Sequence, residues 1–213
     1  MSAWFADRGL FVALEGGEGA GKSTQCSRLR GWLAEAGYEV LLTREPGGTP
    51  VGAAVRAIVL DPATGDLSPR TEALLYAADK AEHVDTVVLP ALAAGQVVVT
   101  DRYVDSTLAY QGAGRALSAA ELEPVARWAT GDLRPHLTVL LDVDPRTGTA
   151  RFAGRDRLEA EPMQFHDRVR EQFRSLAAAD PLHYLVLDAA ADADVIAADI
   201  RTAVEALLKE RST

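Results

Sequence analysis

The sequence predicts an α/β protein with a five-stranded parallel sheet and helices on both faces. Three observations carry that prediction. Five short apolar runs rich in Val and Leu recur along the 213 residues, each at the length of a strand buried on both faces. Helix-length segments separate them, as crossovers between parallel strands require. A glycine-rich turn ending in Lys-Ser joins the first run to the first helical segment, at the strand end where open α/β sheets collect ligands.

Leu10–Leu14 (LFVAL) is the first strand and Lys22–Ala36 the first helix. Val40–Thr43 (VLLT) follows as the second strand, with helices over Val51–Leu60 and Ser68–Ala94. Val97–Thr100 (VVVT) and Leu137–Leu141 (LTVLL) are the third and fourth strands, with a helix over Ser118–Thr130 between them. In the helix Met163–Ala179, Phe165, Val169, Phe173 and Leu176 recur at i, i+4, i+8 and i+11 and mark one buried face. Tyr184–Leu187 (YLVL) and the helix Asp192–Lys209 close the pattern. Residues 44–50 (REPGGTP) and 111–115 (QGAGR) read as loops, and 151–161 (RFAGRDRLEAE) as an exposed charged flap. The whole, 1–213, reads as one domain with a short N-terminal extension over 1–9.

Composition narrows the function. With 48% hydrophobic and 25% charged residues the chain is globular rather than disordered. Its single cysteine, Cys26, excludes an internal disulfide framework and suits a reducing compartment. The four histidines lie far apart and none pairs with a cysteine at zinc-ligand spacing. A net charge of −9 disfavours polymeric nucleic acid, whose binding needs broad phosphate neutralisation. The longest uncharged stretch, Thr86–Thr100, is too short to span a membrane. MSAWFADRGL lacks the basic-then-apolar layout of a secretory signal, so the cytoplasm is the expected compartment.

Gly16-Gly17-Glu18-Gly19-Ala20-Gly21-Lys22-Ser23 fits the phosphate-binding pattern G-x-x-x-x-G-K-[ST], with a strand before it and a helix after it. Its glycines let successive N–H groups face phosphate oxygens, and the following helix adds its positive end. Lys22 is placed to bridge the β- and γ-phosphates, and Ser23 to hold Mg²⁺. No N-K-x-D guanine-reading sequence is present, and the chain is short for a remodelling ATPase, so a kinase for a small acceptor is favoured.

Asp101-Arg102-Tyr103 follows the third strand, where Asp101 can support a metal and Arg102 a second phosphate. Thr43 to Thr49 (TREPGGT) is a stiff turn that aims Arg44 and Glu45 toward the same cleft. Ser106 to Gly112 supplies hydroxyls, an aromatic ring and an amide, the groups that read a nucleobase. Phosphoryl transfer between nucleotides gathers more negative charge than Lys22 alone offsets. The flap arginines Arg151, Arg155 and Arg157 are the expected further cations. Asp144-Pro145 reads as a capped helix start, and Cys26, Trp32 and Trp128 as packing residues.

In order and spacing, FVALEGGEGAGKST, TREPGGTP, ALLYAADKAEHV, VVVTDRYVDSTLAYQGAG, RPHLTVLLDVDP, RDRLE and LDAAAD resemble the bacterial thymidylate kinases, over essentially Phe11 to Leu208. The resemblance implies a P-loop kinase fold, transfer of the ATP γ-phosphate to dTMP with Mg²⁺, and a cytosolic homodimer. It implies nucleotide binding by Gly16, Gly17, Glu18, Gly19, Ala20, Gly21, Lys22, Ser23 and Thr24, with Arg151, Asp188 and Ala189. Ser23 and Asp101 are the implied metal pair. The dTMP site falls to Glu18, Arg44, Glu45, Pro46, Tyr76, Lys80, Arg102, Ser106, Thr107, Tyr110 and Gln111, with Arg44 and Arg102 on the phosphate. The implied catalytic set is Lys22, Arg102, Glu18 and the flap arginines, of which Arg157 in DRLE aligns best. Lys80 stands where many relatives carry Arg, and its compact ammonium lacks the guanidinium's planar fork.

Two rival readings remain at this point. Another nucleoside monophosphate kinase would share the phosphate machinery and differ in base. A nucleotide-dependent switch would keep the P-loop without phosphoryl transfer, and the presence of Lys22, Ser23, Asp101 and Arg102 together argues against it.

Overall fold

The computed structural model describes residues 4–115, 117–151 and 156–211. Five strands, β1 (Leu10–Glu15), β2 (Val40–Arg44), β3 (Val97–Asp101), β4 (Leu137–Asp142) and β5 (Tyr184–Asp188), pair in the order β2-β3-β1-β4-β5. Every pairing is parallel. Each strand runs one residue past its predicted end, and the added residues are Glu15, Arg44, Asp101, Asp142 and Asp188. The apolar pattern marks only the buried part of the ladder, whereas the backbone pairing continues to Arg44 opposite Asp101 and Asp142 opposite Asp188. The carboxyl edge of the sheet is therefore a row of charged groups.

Nine α-helical segments are assigned among the described residues: α1 (Lys22–Glu35), α2 (Pro50–Leu60), α3 (Pro69–His83), α4 (Leu89–Ala93), α5 (Val104–Thr107), α6 (Ala119–Ala129), α7 (Pro145–Thr149), α8 (Met163–Ala179) and α9 (Ala193–Arg211). Side chains alternate across the sheet, as strand geometry demands. Leu10, Val12 and Leu14 face α1 and α9, packing with Leu29, Leu33, Ile196, Ile200 and Val204. Phe11 and Ala13 face the other way, onto Val88, Leu92 and Tyr103. Phe165, Val169 and Phe173 of α8 are buried as their spacing predicts, together with Tyr110, Val55 and Val59. The Asp144 carboxylate accepts from the Arg146 N–H at 2.9 Å and caps α7.

Four sequence expectations are corrected. The helix expected over Ser68–Ala94 is interrupted by a wide π-helical turn at Val84–Val88. Pro90 has no N–H to donate and its ring crowds the turn before it, which favours that widening. The expected loop 111–115 is largely a second π-helical turn, Leu108–Gly114. Arg168 of α8 donates to the carbonyls of Ala113 at 3.0 Å and Gly114 at 2.8 Å and so holds its end. The flap is not exposed throughout, because Leu158 is buried and Arg157 is largely covered. Trp128 does not pack, being 82% exposed on α6. At the N-terminal extension, Trp4 pairs with Leu133 and Phe5 stacks on His183 at 4.8 Å.

Candidate active site

The glycine-rich turn leaves β1 through Gly16, whose φ is 135°. A side chain there would place its Cβ 2.3 Å from the Leu141 carbonyl oxygen, so only glycine fits. Further along, Gly19 and Gly148 touch face to face. A Cβ on Gly148 would sit 2.1 Å from the Glu18 carbonyl oxygen. That contact seats α7, from which the flap departs, directly on the loop.

Lys22 opens α1 and donates to the carbonyls of Gly16 at 3.1 Å and Gly17 at 2.8 Å. Burial and the neighbouring Arg102 lower its pKa, against the opposing pull of Glu18 and Asp101. Ser23 Oγ donates to Asp101 Oδ2 at 2.6 Å, so the expected metal pair is in contact. Arg102 sits at a φ of 72°, a left-handed conformation that non-glycine residues seldom adopt. Its guanidinium reaches Glu18 Oε1 at 2.5 Å, Gly16 O and Ser106 Oγ at 3.0 Å, and Tyr110 Oη at 3.1 Å. Burial raises the Glu18 pKa, but Arg102, Lys22 and the Tyr110 hydroxyl outweigh it and hold the carboxyl at about 2.

Behind this lies Glu15, buried at the end of β1. It accepts from the Tyr103 N–H at 2.7 Å and the Ser106 hydroxyl at 2.6 Å. Burial, aided by Asp105, pushes its pKa up to about 7. A buried carboxylate gripping the backbone just after Arg102 helps hold that residue in its unusual conformation.

Two cavities adjoin at the carboxyl edge. The larger, about 1240 Å³, is lined on the loop side by Gly19, Gly21, Lys22, Ser23 and Thr24 and elsewhere by Arg44, Asp101 and Arg151. The smaller, about 500 Å³, is walled by Pro46, Tyr76, Lys80, Ser106, Thr107, Tyr110 and Gln111. Glu18, Glu45, Arg56, Arg102 and Asp156 line both. Thr107 Oγ1 is buried without a protein partner in that smaller cavity. Lys80 Nζ lies 3.0 Å from Glu45, whose other oxygen meets His83 Nδ1 at 2.8 Å. Burial raises the Glu45 pKa, and Lys80 with His83 more than reverses it.

Some expected residues lie elsewhere. Arg151 donates to the Gly19 carbonyl at 2.6 Å, on the P-loop, whereas Arg157 pairs with Glu72 and donates to Val59 O at 2.9 Å. Arg155 falls outside the described residues. Asp188 ends β5, Ala189 follows it, and neither lines either cavity; the Ala189 N–H is spent on Asp142 O at 2.8 Å. Gly16, Gly17 and Ala20 also line neither cavity. Sequence reasoning missed Arg56, Glu72, Asp156 and Leu158. For Arg56 a signal existed, since it is the lone charge in PVGAAVRAIVL.

The family model for thymidylate kinase matches residues 14–200. A thymidylate kinase of Cutibacterium acnes (strain DSM 16379 / KPA171202) is 56% identical over 200 residues, covering 94% of this chain and 98% of that one. One of Clavibacter michiganensis subsp. michiganensis (strain NCPPB 382) is 54% identical over 204 residues, covering 94% and 96%. The crystal structure of thymidylate kinase from Ehrlichia chaffeensis superposes with a TM-score of 0.78 at 28% identity, covering 93% of this chain and 99% of that one. Matched along nearly its whole length in sequence and in fold, the chain belongs to the thymidylate kinase family.

Proposed function

We propose that the protein transfers the γ-phosphate of ATP to dTMP, giving ADP and dTDP. The observation that carries this reading is the pair of joined cavities: a P-loop cavity for the donor and a smaller, aromatic-walled one for the acceptor, sharing Glu18, Arg56 and Arg102. The lining of the smaller cavity, aromatic rings beside hydroxyls and an amide, suits the base and sugar of a mononucleotide. Tyr76 offers a ring face to the base, and the buried, unpartnered Thr107 hydroxyl calls for a polar partner from a ligand.

In the reaction, an oxygen of the dTMP phosphate attacks the γ-phosphorus, the bond from that phosphorus to the bridging oxygen breaks, and ADP leaves. Lys22 turns from its loop carbonyls to the phosphates and offsets charge as it spreads over the transferring group. Arg56 at the junction and Arg44 in the larger cavity hold the acceptor phosphate with Arg102, which is already fastened to Glu18 and stiffens the wall between donor and acceptor. Arg151 is the flap arginine best placed to reach the donor, since it already touches the P-loop. The flap, 151–161, excludes water that would otherwise accept the phosphoryl group.

Among the described residues no cluster of three or more His, Cys, Asp or Glu side chains could hold a metal. The Ser23–Asp101 oxygen pair still fits Mg²⁺, which takes few protein ligands and fills its octahedron with phosphates and water. When bound, Mg²⁺ would neutralise charge on the β- and γ-phosphate oxygens. A homodimer is part of the proposal, with Val51 and Ile58 of α2 and Leu74 of α3 as half-exposed apolar contacts. No helix among the described residues is long and apolar enough to cross a membrane, and we assign the enzyme to the cytoplasm.

The test is ADP formation from ATP and Mg²⁺ with dTMP, dUMP, dCMP, dGMP and thymidine offered separately. Turnover fastest with dTMP is expected. Tight ATP binding with no acceptor-dependent turnover would overturn the reading in favour of a switch.

A further inference from the structure

Glu72 lies on α3, one turn before Tyr76, and is fully buried. A carboxylate so placed needs partners, and it has three. Gln111 Nε2 donates to Oε1 at 2.9 Å; Arg115 donates to Oε1 at 3.1 Å and Oε2 at 3.2 Å; Arg157 donates to Oε2. Burial raises the Glu72 pKa, and the bonds from Arg115, Gln111 and Arg157 outweigh it. The group is thus an ionised, acceptor-only carboxylate.

We propose that Glu72 is a positioning residue that sets the hydrogen-bonding polarity of the acceptor-base pocket through Gln111 and docks the base of the flap over it through Arg157. The inference rests on the acceptor reading above and names what within the pocket selects the base.

An ionised carboxylate cannot donate, so the Gln111 amide must turn its NH₂ toward Glu72. Gln111 lines the acceptor cavity, and with its NH₂ fixed on Glu72 the amide cannot flip, so its carbonyl oxygen is the acceptor it offers a ligand there. An oxygen acceptor matches the N3–H of a pyrimidine dione, the thymine and uracil class. It opposes the lone pair on N3 of an aminopyrimidine such as cytosine, leaving two acceptors face to face.

The same carboxylate organises the flap. Arg157 is held to Glu72 and to Val59 O, and its backbone N–H donates to Leu60 O at 3.0 Å. Arg115 bridges Glu72 to Glu161 at the far end of the segment. Two acids and two arginines therefore fasten 157–161 at both ends, and Leu158 between them and Asp156 just before them line the acceptor cavity.

Glu72→Gln and Glu72→Asp separate positioning from bulk stability. Glutamine keeps the shape but can present either an oxygen or an NH₂, so it releases Gln111 to flip. Aspartate keeps the charge and the acceptor-only character. The expected result for Glu72→Gln is a fall of about tenfold in the ratio of kcat/KM for dTMP over dCMP, a raised KM for dTMP, and an ATP KM within about twofold. More ATP should also be lost to water with no acceptor present. Glu72→Asp should retain the ratio even if its Tm falls. A Glu72→Gln protein that loses Tm and slows equally with dTMP and dCMP, its ratio unchanged, would overturn the positioning role alone. Absence of dTMP turnover in the unaltered protein would instead overturn the acceptor reading, and this inference with it.

Discussion

Replacing Glu18 with Gln removes one charge from the ion pair between the two cavities while keeping its shape. The pair is 2.5 Å long, with the Glu18 and Arg102 side chains 18% and 15% exposed. Burial acts against the Glu18 carboxylate, but Arg102, Lys22 and Tyr110 bring its pKa from an ordinary 4.5 to about 2. At about 1.4 kcal/mol per pH unit, the ionised form contributes roughly 3 kcal/mol of stability. Breaking a buried pair from one side costs a similar amount, about 3–5 kcal/mol, because the guanidinium stays buried without its counter-charge. For a chain of this size, about 3–5 kcal/mol corresponds to a Tm lower by roughly 6–20 °C near neutral pH. The sign of the pH dependence follows from the lowered pKa. The contribution is present above the unfolded value near 4.5 and is lost as pH falls through about 2. Urea unfolding of both proteins should therefore show a constant difference from about pH 8 to about pH 5, shrinking below that. A Tm change under about 2 °C, or a difference that grows on acidification, would refute the reasoning.

Three further outcomes are expected. Lys22→Ala should lower kcat by orders of magnitude with little loss of stability, and near-normal turnover would sink the P-loop assignment. Arg56→Ala should raise the dTMP KM about tenfold or more and leave the ATP KM nearly unchanged, as steady-state kinetics with each substrate varied would reveal. Gly148→Ala should push α7 off the P-loop, since its Cβ would meet the Glu18 carbonyl at 2.1 Å; calorimetric titration with ATP should record weaker binding, and unchanged affinity would mean that α7 can shift freely.

The sequence by itself determined the five strands, their parallel crossovers and the P-loop. Each depends on local pattern: Leu10–Leu14 and Val97–Val99 are apolar throughout because both their faces are covered, and Gly16 to Ser23 need only their own order to form an anion cradle. It also placed ten residues that line the smaller cavity: REPGG and the Ser106–Gln111 segment lie past strand ends, where a parallel sheet gathers ligands, whereas Glu18, Tyr76 and Lys80 were placed by the resemblance to the family. Pairing across the fold was not legible. Glu72 has many arginines to choose from along the chain, and only the packing of α3 against the second π-helical turn and the flap selects Arg115 and Arg157. The same holds for Arg102, whose φ of 72° and bond to Glu18 are imposed by β1 and β3 lying side by side. The two π-helical turns also escaped the pattern, since their wider rings answer to contacts such as Arg168 on Ala113 and Gly114 rather than to local propensity. Hydrophobic periodicity is written locally and can be read along the chain; the partner of a buried charge is set by distance in space, which only the folded structure supplies.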